Sequence, residues 1–356
     1  MARSGKLLFL LLIIITIGGC RRDPIIEGPW TGGTPFQLQI PPWAFTPMNA
    51  PNIPIDDPLT KEGVDLGRRL FYERALSNDF SISCGSCHVQ QNAFTDPRPF
   101  SIGTDGSIGR RNGMPVMNMV FDPFFFWDSR AATLEAQALK PVVDHAEMRN
   151  TWPVVVERLQ SHPEYPALFR KAFGTDVIDS MLVVKAIAQF ERTLISFSSR
   201  FDRFQYGGDS LALTPQEKHG FDLFMNEASC GGCHLPPMFT DHSIRSNGLD
   251  MMPLDLGLGE LTGIREDEGR FKTPSLRNIA VTAPYMHDAR FGTLEQVLDF
   301  YAEDVQVNSQ TIDPHMLPWI FGNVDLDEQD RADIVAFLHS LTDPGFLNDP
   351  AFSDPH

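Results

Sequence analysis

Two five-residue segments, Cys84-Gly85-Ser86-Cys87-His88 and Cys230-Gly231-Gly232-Cys233-His234, constrain this 356-residue chain more than any other feature. Two cysteines separated by two residues and followed at once by histidine form the attachment pattern of c-type haem. The thioethers fix the porphyrin, and the histidine supplies an axial nitrogen to the iron. A disulfide or a zinc site would leave unexplained why histidine directly follows the second cysteine in both copies. The expected cofactors are two covalently bound haem c, with His88 and His234 as iron ligands. The chain is long enough to bury a core around each.

The fifth cysteine closes a leader. Arg3 and Lys6 precede an apolar run from Leu7 to Ile15, too short to span a bilayer comfortably, and Ile17-Gly18-Gly19-Cys20 resembles a bacterial lipobox. Residues 1–19 are therefore expected to be a lipoprotein signal peptide, with Cys20 lipidated. Acyl chains alone would then hold the body to a membrane, on its extracytoplasmic, periplasmic side. A single N-terminal transmembrane anchor is the alternative. Residues 20–58, rich in Pro and Gly, read as a tether and N-terminal arm. With 46 acidic against 29 basic residues and a net charge of -17, the folded body is a poor partner for nucleic acid or an anionic membrane surface. The same charge suits a basic electron-donor protein.

Both haem motifs sit in a similar setting, as expected of an internal repeat. Leu66-Gly67 and Leu70-Phe71 lead to the first, with Phe94-Thr95-Asp96 after it; His219-Gly220 and Leu223-Phe224 lead to the second, with Phe239-Thr240-Asp241 after it. Val183, Ile187, Phe190, Leu194, Phe197 and Phe201 follow helical spacing and predict one long core helix. Thr175 or Asp176 would cap its start, and Tyr206-Gly207-Gly208-Asp209 would end the segment. Leu294, Leu298 and Tyr301 share another helical face, as do Ile334, Phe337, Leu338 and Leu341. No stretch alternates like a strand. The expectation is a mainly α fold: two cytochrome c-like haem domains in tandem, residues 59–204 and 205–356, with long ordered loops.

The chain resembles the bacterial dihaem cytochrome c peroxidase and MauG family over nearly all of its mature length. The resemblance rests on Leu66-Gly67-Arg68-Arg69-Leu70-Phe71, Phe126-Trp127-Asp128-Ser129-Arg130-Ala131, Leu134-Glu135-Ala136-Gln137-Ala138, Glu147-Met148, Lys272-Thr273-Pro274-Ser275-Leu276-Arg277-Asn278 and Thr282-Ala283-Pro284-Tyr285-Met286-His287. It implies that the N-terminal haem reacts with hydrogen peroxide and that the C-terminal haem relays electrons to it. It places Trp127 between the haems, Glu147 and Gln137 in the distal pocket of the first, and Asn112, Thr282 and Pro284 at a calcium site. Read from the residues alone, Trp127 could equally be a packing aromatic and Glu147 a solvated carboxylate.

Two positions depart from the peroxidase pattern. Many of these peroxidases carry a removable histidine ligand in a Gly-His pair sixteen residues after the first haem histidine, where this chain has Gly103-Thr104. The methionine that ligates the second haem in the peroxidases is here matched by Tyr301, as in MauG; Met286, His315 and Met316 are the rival ligands. The expected function is a peroxidase that reduces hydrogen peroxide with electrons from a small cytochrome or copper protein. The alternative is a MauG-like enzyme that spends peroxide-derived oxidising equivalents on residues of a partner protein. A plain dihaem electron carrier is disfavoured, because Thr104 leaves one iron open beside proton-handling groups.

Overall fold

A computed structural model describes residues 32–46, 49–322 and 324–356. The leader and Cys20 lie outside them. The first half contains α1 (Lys61–Tyr72), α2 (Cys84–Cys87), α3 (Leu134–Val143), α4 (Trp152–Ser161), α5 (Tyr165–Phe173) and α6 (Ser180–Thr193), followed by α7 (Arg200–Gln205). The second half contains α8 (Pro215–Met225), α9 (Gly259–Thr262), α10 (Leu294–Asp299), α11 (Leu317–Ile320), α12 (Glu328–His339) and α13 (Pro344–Asn348). The described residues hold one two-stranded antiparallel sheet, β1 (Ile244–Arg245) with β2 (Phe271–Lys272), in which Ile244 faces Lys272. The fold is mainly helical, and none of its described helices is long and apolar enough to cross a membrane.

Each half is built on one tight helix crossing. α1 meets α6 at Gly67, where a Cβ would stand 1.8 Å from the Ala186 carbonyl oxygen. α8 meets α12 at Gly220, where a Cβ would stand 1.9 Å from the Asp333 carbonyl oxygen. Glycine is required at both because backbone touches backbone. Around the first crossing Leu66, Leu70, Phe71, Val183, Ile187 and Phe190 form one core; around the second, Leu223, Phe224, Ile334, Phe337 and Leu338 form another. Burying each such side chain contributes about 2 kcal/mol. The C-terminal segment crosses back, so that Phe346 and Leu347 of α13 complete the first core. Trp43 of the N-terminal arm stacks on Tyr206 at 4.0 Å between ring centroids.

The long helix expected through Phe201 is broken. All six residues of its apolar row are buried, but α6 stops at Thr193 and α7 starts at Arg200. Backbone groups between them find better partners elsewhere. The Leu194 carbonyl accepts from the Asn118 amide at 2.7 Å, the Ser196 amide donates to Asn118 Oδ1 at 2.9 Å, and the Ser198 amide donates to Asp343 Oδ2 at 2.9 Å. Ser199 then caps α7. The cap of α6 also differs from expectation: Asp179, not Thr175 or Asp176, accepts from the Leu182 amide at 2.8 Å. Tyr206 ends α7.

Candidate active site

In the two haem segments the histidines are set in the same way. Burial lowers the pKa of each imidazole, and Nδ1 lies 2.7 Å from the Phe94 carbonyl oxygen in His88 and 3.0 Å from the Phe239 carbonyl oxygen in His234. A carbonyl can only accept, so Nδ1 carries the proton and Nε2 keeps its lone pair for a metal. Phe94 and Phe239 reach these positions with φ of 59° and 54°. Cys84, Cys87, Cys230 and Cys233 form no disulfide. Among the described residues no group of three or more His, Cys, Asp or Glu is arranged to hold a metal ion by itself. In both segments a pair of cysteines outside any disulfide and a neutral histidine with Nε2 available fit haem c, and at the first segment a cavity adjoins them.

That cavity encloses about 590 Å³ and is lined by Cys84, Cys87 and His88, with Gln137, Pro141 and Glu147 among its other walls. Gln137 and Pro141 stand one turn apart on α3, whose start is capped by Thr133 accepting from the Ala136 amide. Burial pushes the Glu147 carboxyl up to about 7; Asp144 adds to the shift and Arg130 opposes it. The segment carrying Glu147 is clamped by the departing pair. A Cβ on Gly103 would stand 2.4 Å from the Ala146 carbonyl oxygen, and the Thr104 amide donates to the Glu147 carbonyl at 3.0 Å. Gly103 is thus needed for close approach, while Thr104 does not line the cavity.

Trp127 lies where segments from both halves lace together. Its indole Nε1 donates to the Asn112 carbonyl at 2.9 Å, and its own carbonyl accepts from the Lys272 amide at 2.7 Å. The Asn112 amide donates to the His287 carbonyl at 2.7 Å, and the His287 ring stacks on Phe271 at 3.7 Å. These bonds bring Asn112 to the segment holding Thr282 and Pro284. The Asn112 side-chain amide donates to the Pro99 carbonyl at 3.2 Å, and the Thr282 hydroxyl to the Ile279 carbonyl at 3.1 Å. Nearby, Lys272 and His242 both pair with buried Asp122. Burial alone would raise its pKa, but the Lys272 ammonium, helped by the hydrogen bond from His242, holds it below the usual carboxylate range.

Tyr301 sits in the first residues of a π turn, Phe300–Asp304, that continues α10. Such wide turns re-aim a side chain and recur at functional sites. Asn247 Nδ2 donates to the Tyr301 hydroxyl at 3.0 Å and lies 3.9 Å from the Met286 sulfur. Burial pushes the phenol up to about 12; the Asn247 bond opposes this, and the nearby Cys230 and Cys233 sulfurs add to it. The phenol is therefore within electrostatic reach of the second haem segment. Of the rivals, His315 is half exposed and tied to Asp313 and Arg245, Met286 adjoins the same amide, and Met316 is buried.

Reading the motifs as isolated signals misses a longer repeat. Asp128-Ser129-Arg130-Ala131-Ala132-Thr133-Leu134-Glu135 and Asp288-Ala289-Arg290-Phe291-Gly292-Thr293-Leu294-Glu295 keep a constant offset of 160 residues. The structure repeats with it: Phe125 bridges Ala131 as Tyr285 bridges Phe291, and Asn118 and Asn278 both adopt φ of 56°. In that frame Trp127 is matched by His287, and Pro141 on the cavity wall by Tyr301.

The profile of the family described as di-haem cytochrome c peroxidase matches residues 61–210. Methylamine utilization protein MauG of Methylorubrum extorquens is 38% identical over 298 residues, which cover 83% of this chain and 82% of that protein. Cytochrome c551 peroxidase of Nitrosomonas europaea is 34% identical over 304 residues, covering 84% and 82%. The crystal structure of a MauG-like protein associated with microbial copper homeostasis matches with a TM-score of 0.81 at 34% identity, covering 90% of this chain and 99% of that one. With two haem attachment segments set alike and relatives of this extent, the chain belongs to the dihaem cytochrome c peroxidase and MauG family, as a haem-dependent oxidoreductase with two haem cofactors.

Proposed function

We propose that this protein is a MauG-like enzyme that consumes hydrogen peroxide at the N-terminal haem and withdraws the matching electrons from residues of a partner protein. The observation that carries the reading is Tyr301, a buried phenol held by the Asn247 amide within electrostatic reach of the second pair of haem cysteines, where a peroxidase would place methionine. When bound, the two haems supply the redox chemistry. Phenolate is a hard anionic donor and favours oxidised iron, which suits a site that stores oxidising equivalents better than one that accepts electrons at high potential.

In this reading residues 59–204 and 205–356 each hold one haem, through Cys84, Cys87 and His88 and through Cys230, Cys233 and His234, with Tyr301 as the second ligand of the C-terminal iron. The Glu147 carboxylate takes a proton from one peroxide oxygen and returns it to the departing one, and Gln137 orients the peroxide. Trp127 carries electrons between the halves. A calcium ion held by oxygens of Asn112, Thr282 and Pro284 suits a hard-cation site and would brace the same junction. The leader directs export, and lipid on Cys20 keeps the body on the periplasmic side of a membrane.

The acidic surface favours a second reading, a peroxidase fed by a small basic cytochrome or copper protein. The two are separated by mixing the holoprotein and peroxide either with a reduced small cytochrome or with proteins encoded beside it. Oxidised tryptophan in a neighbouring protein, found by mass spectrometry, is the expected result. Fast cytochrome turnover without protein oxidation would replace this reading with the peroxidase.

A further inference from the structure

A second carboxyl opens onto the first haem cavity. Glu191, in the last turn of α6, lines that cavity with Cys84 and Ile187. The residue is 5% exposed, and its Oε2 has no hydrogen-bond partner. Behind it Arg192 and Glu135, both buried, pair at 2.7 Å, and Arg192 Nε is anchored on the Asn52 carbonyl at 3.2 Å. Farther out, buried Asp57 accepts from Gln189 Nε2 at 2.7 Å. Its neighbour Asp56 is exposed and pairs with Lys185 at 2.8 Å. Glu135 is within electrostatic range of both Glu191 and Asp57, so carboxyl groups are spread from the cavity wall to the surface, separate from Glu147.

Glu191 Oε2 meets no donor, so a carboxyl is not there for packing. An ionised carboxylate left unpaired in such a place is strongly disfavoured. Glu191 therefore carries its proton: burial pushes it up to about 8, with Arg192 opposing and Glu135 adding. The other groups that face it are the Cys84 thiol and, through the shared cavity, Glu147. A buried polar group left unmatched and aimed into a reactive cavity marks a functional role.

Reducing one hydrogen peroxide to two waters takes up two electrons, here from the partner protein, and two protons. Glu147 moves a proton between the two oxygens but adds none. We propose that Glu191 is the proton-holding residue through which the first haem cavity is supplied, fed from the surface along Asp57 and Glu135. The inference rests on the first haem as the peroxide site.

Infrared difference spectroscopy of the holoprotein tests this without peroxide, using only the oxidation state of the first iron. Ferric-minus-ferrous spectra should contain the C=O band of a protonated carboxylic acid that shifts in heavy water. The band should be lost in Glu191→Gln and kept in Glu147→Gln. Glu135→Gln should keep the band and slow its deuterium exchange at least tenfold, a measurement that stands even if Glu191→Gln fails to load haem. A band that persists in Glu191→Gln, or exchange unchanged in Glu135→Gln, overturns the proposal. If the band behaves as expected while the protein ignores peroxide, the peroxide assignment fails and the proton site stands.

Discussion

The side-chain amide of Asn247 holds the hydroxyl of Tyr301 at 3.0 Å. That bond orients the phenol at the point where α10 widens into a π turn. It also ties the segment after β1 to the helix that follows the second-half repeat. A phenol held in this way is presented in one direction, as a ligand must be.

Replacing Tyr301 with Phe removes the oxygen and keeps the ring. The low-spin EPR signal of the second haem should change and its reduction potential should rise, since a hard anionic donor is lost. Tyr301→Met should raise the potential further while restoring a six-coordinate iron. An unchanged spectrum and potential in Tyr301→Phe would transfer the ligand role to Met286, which shares the Asn247 amide.

Glu147 gives a pH dependence with a defined sign. Its carboxyl is raised from 4.5 to about 7 by burial first and by Asp144 next. In the proposed function the base form takes a proton from peroxide; that form dominates only above about 7, and the ferric reaction rate should climb with pH through that value. For stability the sign is reversed. The folded protein holds this proton more tightly than the unfolded chain, so the group makes folding less favourable as pH rises from 4.5 through about 7. Glu147→Gln should flatten both profiles; a rate that keeps its limb near 7 in the variant would assign the titration elsewhere.

The two glycine crossings predict matched losses. Gly67→Ala puts a methyl group 1.8 Å from the Ala186 carbonyl oxygen, and Gly220→Ala puts one 1.9 Å from that of Asp333. Neither backbone can move without displacing α6 or α12. Each variant should lose about 3 kcal/mol, the upper end of ordinary overpacking, in chemical denaturation. Gly292→Ala, whose methyl group meets only Gln296 Oε1 at an ordinary 3.7 Å, is the control and should lose far less.

What could be read from the residue order was whatever is local. The haem segments announce themselves because five adjacent residues carry the chemistry, and the apolar row from Val183 to Phe201 gives its burial correctly because helical spacing is a local property. Its break at Thr193 was not legible, since Asn118 and Asp343, which capture the intervening backbone, lie far away in sequence. The same holds for Glu191 and for the Asp122, Lys272 and His242 cluster: each looks like an ordinary charged residue until distant segments enclose it. The 160-residue repeat was present in the letters and escaped a reading that compared only the surroundings of the haem motifs.

The last prediction concerns the resting enzyme. In family members with a distal histidine, that ligand must leave before peroxide binds, and reduction of the partner haem triggers its departure. Here Thr104 occupies the position, its amide is committed to the Glu147 carbonyl, and its side chain does not line the cavity. Hydroxyl oxygen is in any case a weak ligand beside imidazole. The fully ferric protein should therefore show a high-spin first haem and react with peroxide at once, without prior reduction, seen as a rapid Soret change on stopped-flow mixing. If instead the wild-type ferric protein is inert and only the half-reduced form reacts, another side chain closes the first iron, and an enzyme that begins its cycle fully oxidised is excluded.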